Sequence, residues 1–89
     1  MITKEITITN NSGLHARPAS LWVQTASRYQ SSIKIKYDNS EVDGKSILGI
    51  LSLGLAAGSK FELIVDGEDE QEAAGNLETL VINLESRGE

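Results

Sequence analysis

The hydrophobic positions of this chain change their spacing from one stretch to the next, and each change predicts an element. Ile2, Ile6 and Ile8 alternate with Thr3, Glu5, Thr7 and Thr9, the period of a half-buried strand. Asn10-Asn11-Ser12-Gly13 interrupts the alternation and reads as a loop. From Ala16 to about Ser27 the period lengthens, placing Ala19, Trp22, Val23 and Ala26 on one helical face. Pro18 falls in the first turn, where its missing N–H costs no helical bond. Ile33, Ile35 and Tyr37 return to alternation with Ser32, Lys34 and Lys36. Asp38-Asn39-Ser40 is a turn, after which Glu41-Val42-Asp43 pairs back as a short third strand.

Gly44-Lys45-Ser46 introduces a short helix from Ile47 to about Leu53, and Gly54 and Gly58 bound the loop that follows. Phe61, Leu63 and Val65 mark a fourth strand, and Asp66-Gly67 turns the chain. A last helix opens at Asp69 or Glu70 and directs Ala73, Ala74, Leu77, Leu80, Val81 and Leu84 inward. Its acidic start suits the helix dipole, whereas Gly75 within it costs about 1 kcal/mol relative to alanine. The order β-α-β-β-α-β-α predicts a two-layer α+β fold with the helices on one sheet face. One domain, 1–89, accounts for the length.

Composition narrows the function. The chain has no cysteine and one histidine, so neither a disulfide framework nor a usual zinc site is expected, and no metal or cofactor is implied. Ile47 to Ala57, the longest apolar stretch, is broken by Gly49, Ser52 and Gly54 and is too short for membrane insertion. Met1 to Glu5 lacks the apolar run of a leader, so a cytoplasmic location is expected. A net charge of −5 argues against direct nucleic-acid binding. Residues 1–36 carry five basic side chains against Glu5, and residues 37–89 carry three against twelve acidic ones. That asymmetry is expected to steer a phosphate or an acidic partner toward the first half.

That half contains His15, in Gly13-Leu14-His15-Ala16-Arg17-Pro18, at the junction of loop and helix. A helix start presents amide donors and a positive dipole end, which together receive a phosphate. The amides of Ala16 and Arg17 and the Arg17 guanidinium would surround a phosphoryl group held on the imidazole. Histidine is a covalent nucleophile, and a phosphorus–nitrogen bond is labile enough to pass the group on. The plain alternative is a histidine that merely caps the helix. No Walker loop or array of metal-binding carboxylates accompanies His15, so the residues describe half of an active site, a carrier completed by another protein.

A second constellation surrounds Ser46. The helix Ile47–Leu53 has more apolar residues than one face can bury, so Ile47, Leu48 and Leu51 are expected as an exposed stripe, with Ile50, Leu53 and Leu55 inward. Ser46 is the expected N-cap of that helix. A phosphate on its hydroxyl would suit the helix start, place charge beside the stripe and weaken docking, with Lys45 partly offsetting the charge.

Gly13-Leu14-His15-Ala16-Arg17-Pro18-Ala19, together with Gly44-Lys45-Ser46-Ile47-Leu48-Gly49-Ile50-Leu51-Ser52-Leu53-Gly54, resembles the HPr family, the histidine-containing phosphocarriers of bacterial sugar phosphotransferase systems. The resemblance covers essentially the whole chain. It implies an open-faced β-sandwich, with a four-stranded antiparallel sheet in order 1-4-2-3 and three helices on one face. It also implies that His15 takes a phosphoryl group on Nδ1 from phosphorylated enzyme I, charged by phosphoenolpyruvate, and passes it to IIA domains of sugar permeases. Arg17 would contact that group in both complexes. Ser46 resembles the site of an ATP-dependent HPr kinase/phosphorylase, whose product partners a catabolite-control transcription factor in carbon catabolite repression. Ser20, Gln24, Ile47, Leu48 and Leu51 match the family's docking face.

The chain departs from the family in three places. Leu48 and Leu51 stand where methionine is frequent, and Trp22 is uncommon. Leucine keeps the apolar contact without methionine's adaptability, which bears on partner preference. The alternatives are a nitrogen-type regulatory paralogue, whose phosphate flow regulates instead of driving uptake, and a purely regulatory binding module; a different, regulatory relative of the family lacks the histidine, and His15 argues against that assignment.

Overall fold

A computed structural model describes residues 1–84 of the chain. Its elements are β1 (Ile2–Thr7), α1 (Ala16–Ala26), β2 (Ser32–Tyr37), β3 (Ser40–Asp43), α2 (Ile47–Ser52), β4 (Lys60–Asp66) and α3 (Glu70–Asn83). The sheet runs β1-β4-β2-β3 with every neighbour antiparallel, as the resemblance implies. Ile6 stands opposite Phe61, and Ile35 lies between Leu63 and Val42, so the alternating apolar side chains form continuous rows. These rows face the helices, and Ile33, Ile35, Phe61, Leu63 and Val65 are buried. Covering one sheet face with amphipathic helices removes the apolar rows from water, the main favourable term in folding.

The opposite face is polar. Glu5, Glu62, Lys36 and Glu41 follow one another across all four strands. Lys4 breaks the alternation, because it shares a face with Ile2 and Ile6. Its ammonium reaches Glu78 of α3 at 3.0 Å, and a long side chain resolves the conflict by keeping its charge at the rim. Lys34 lies 3.8 Å from Glu41. Three of the basic side chains of the first half, Lys4, Lys34 and Lys36, thus stand on strands and not on the helix start that carries His15. β1 and β2 carry Lys4, Lys34 and Lys36 into the sheet, opposite the acidic residues of the second half.

The acidic start of α3 serves the neighbouring loop. Asp69 occupies the N-cap position, yet its carboxylate makes no bond to its own helix. It accepts the amides of Gln30 and Ser31, at 2.9 and 3.0 Å, and the Ser31 hydroxyl. These donors, the hydroxyl foremost, hold the carboxyl below its ordinary pKa. Glu70 is lowered chiefly by the Gly67 amide and then by the Met1 ammonium, 3.1 Å away.

Candidate functional site

The loop before α1 is packed, which decides where α1 begins. Gly13 has φ +63°, and a Cβ there would sit 2.7 Å from Ala56 Cα. Only glycine fits both the backbone angle and the close approach. The next residue, Leu14, is buried, and the Asn10 side chain donates to the Gly13 carbonyl at 3.0 Å. With Leu14 anchored inward, His15 emerges exposed.

His15 is the N-cap residue of α1, with extended backbone angles of φ −78° and ψ −169°. Its carbonyl accepts the Ala19 amide at 2.8 Å, the first bond of the helix ladder. Pro18 has no amide hydrogen, so the N–H groups at the helix start belong to Ala16 and Arg17, ahead of that ladder. The imidazole makes no capping bond. A histidine present only to cap would use its ring for that purpose; this one leaves the ring in solvent beside the positive end of α1. Ala16 and Arg17 are exposed with it.

α1 packs against α2. Along α1 the exposed or half-buried face continues through Ser20 and Gln24, whose amide donates to the Ser20 hydroxyl at 3.4 Å. On α2, Leu48 is 77% exposed, and Ile47 and Leu51 are 38% and 37% exposed, whereas Ile50 and Leu55 are buried. Leu53 packs partly buried against the core. The expected division of that helix into an outer stripe and an inner anchor is the one observed. Among the described residues, no helix is long and apolar enough to cross a membrane.

Ser46 caps α2, accepting the Gly49 amide on Oγ at 3.1 Å. Lys45, expected to offset charge on Ser46, is committed elsewhere: its ammonium donates to the Tyr29 carbonyl at 2.8 Å. The Trp22 indole makes a second tie to the same segment, donating to the Gly44 carbonyl at 3.0 Å. Neither tie was read from the sequence. One signal is present in it: a buried tryptophan needs an acceptor for its N–H, which leaves the acceptor's identity open.

The chain matches the family model described as the PTS HPr component phosphorylation site over residues 2–83. It is 42% identical to the phosphocarrier protein HPr of Treponema pallidum over 93% of this chain and 94% of that one. It is 44% identical to the HPr-like protein Crh of Halalkalibacterium halodurans over 96% and 98% of the two chains. Among solved structures, HPr-C-His from Thermoanaerobacter tengcongensis superposes with a TM-score of 0.93 at 45% identity, covering 97% of each chain. Sequence, fold and an exposed histidine at the start of α1 agree, and the chain belongs to the HPr family of phosphotransferase-system phosphocarriers.

Proposed function

We propose that this chain accepts a phosphoryl group on His15 Nδ1 from phosphorylated enzyme I, in its cytoplasmic setting, and donates it to IIA domains of sugar permeases. The Nδ1 lone pair is the nucleophile. A P–N bond forms as the donor's bond to phosphorus breaks, and the reverse exchange discharges the carrier. Ala16 and Arg17 offer main-chain donors to the transferred oxygens, and the Arg17 guanidinium balances their charge. The observation that carries this reading is the exposed N-cap histidine whose ring takes no part in capping. Incubation with enzyme I and phosphoenolpyruvate should give an acid-labile phosphate that is lost in His15→Ala and kept in Ser46→Ala. Labelling that survives His15→Ala would defeat it.

Regulation at Ser46 is a second reading, supported by the Ser46 Oγ bond at the head of an exposed apolar helix. In this reading an ATP-dependent HPr kinase/phosphorylase modifies Ser46, and the product partners a catabolite-control transcription factor. ATP and such a kinase should label the wild type and His15→Ala but leave Ser46→Ala unlabelled.

A further inference from the structure

We propose that Trp22 is a positioning residue for phosphoryl transfer: its indole N–H sets where the α2 docking helix stands relative to α1, which carries His15. The proposal rests on the phosphocarrier reading and adds to it a residue outside both motifs.

α2 has six residues, too few to hold a position by its own helical bonds. Its place comes from its anchors. Ile50 is one, buried in the core. Another is Gly44, two residues before the Ser46 cap, which is gripped from both sides. Its N–H donates to the Ile33 carbonyl of β2 at 2.7 Å, and its carbonyl accepts the Trp22 indole of α1 at 3.0 Å. No side chain fits at Gly44, since a Cβ would lie 2.5 Å from Ile33 Cγ2. Trp22 is fully buried and meets Phe61 edge-on, with ring centroids 5.8 Å apart at 77°, so the donor is rigid. The Lys45 tie to Tyr29 acts beside it through a flexible side chain.

A partner that must touch His15 and Leu48 together depends on the relative placement of α1 and α2. Without the indole N–H, the Gly44 carbonyl turns toward another donor, and α2 shifts with it. His15 lies seven residues from Trp22, about 10 Å along the helix, so chemistry in the bound state is unaffected. The loss therefore falls on KM and leaves kcat in place.

The test replaces the single tryptophan with β-(3-benzothienyl)alanine, which keeps the two-ring outline and substitutes sulfur for N–H; Trp22→Phe is the encoded counterpart. With enzyme I as donor, KM should rise roughly fivefold, the ratio matching one ordinary hydrogen bond, with kcat unchanged. Amide hydrogen exchange at Gly49 and Ile50 should quicken. Unchanged KM and exchange in the isostere would overturn the proposal, as would a fall in kcat at constant KM. If the wild type takes no phosphate from enzyme I, the carrier reading and the transfer role fall together. Exchange then still decides whether the indole N–H holds α2.

Discussion

The amide of Leu14 donates a 3.0 Å hydrogen bond to the carbonyl of Leu55, and both leucine side chains are buried. This contact joins the loop before α1 to the loop after α2. It is the immediate reason that His15, one residue on, is delivered to the surface at a defined point. Gly13 makes the approach feasible. Gly13→Ala should therefore cost about 2–3 kcal/mol in urea unfolding, from a strained φ and a clash with residues 55 and 56. Phosphoryl acceptance at His15 should fall beyond the unfolded fraction, because the helix start moves. A variant with wild-type stability would show that this packing does not hold the loop.

Ser46 offers two substitutions with separable outcomes. Ser46→Ala removes the acceptor of the Gly49 amide and should cost about 1 kcal/mol. Ser46→Asp keeps an acceptor, so thermal unfolding should stay near that of the wild type. Its charge beside Ile47 and Leu48 should raise KM for enzyme I by roughly tenfold. Unchanged transfer kinetics in Ser46→Asp would remove the basis for docking on the α2 stripe.

Leu48 contributes little to the core, being 77% exposed. Leu48→Glu should change folding stability by less than about 0.5 kcal/mol. Its effect should appear in partner titrations, as weaker binding to enzyme I and to a IIA domain alike. A loss confined to one partner would show that the two dock differently.

Asp69 makes stability depend on acid. Its folded pKa lies below the unfolded value, because the carboxylate accepts the Ser31 hydroxyl and then the Gln30 amide. The unfolded chain thus binds the proton more readily, and stability rises with pH through that window. The contribution is complete above the ordinary carboxylate pKa, about 4, and is lost as pH falls through the folded value. Glu70, lowered by the Gly67 amide, acts in the same direction. Denaturant midpoints for Asp69→Asn measured between pH 7 and pH 3 should fall less steeply than those of the wild type. Parallel curves would rule out this linkage.

Gly75 lies inside α3, and a Cβ there would meet nothing within 4 Å. Gly75→Ala should raise the unfolding free energy by about 0.5–1 kcal/mol through helix propensity and a less flexible unfolded chain. Calorimetry would show this as a higher Tm, and a lower one would reveal a packing role for the bare backbone.

The seven elements were legible in the residues because each arises from a local rule. A strand buries alternate side chains and a helix every third or fourth, so Ile33, Ile35 and Tyr37 announce β2 without reference to any other segment. The divided face of α2 was legible on the same ground, and the His15 motif because loop, cap and Pro18 occupy adjacent positions. The sheet order came from the resemblance; periodicity says which residues face inward but is silent on which strand lies beside which.

Tertiary structure alone decided the pairings between distant residues. Trp22 meets a carbonyl 22 residues away, Asp69 meets amides near Ser31, and Lys4 reaches from β1 to Glu78 of α3. Every residue has a carbonyl, so the identity of Gly44 as an acceptor is written in geometry and not in its side chain. The charge division between the two halves does not carry over whole into space for the same reason, since Lys4 and Lys34 meet Glu78 and Glu41 of the second half. Once β4 slots between β1 and β2, acidic and basic segments stand side by side, and the field around His15 is set by what packs there.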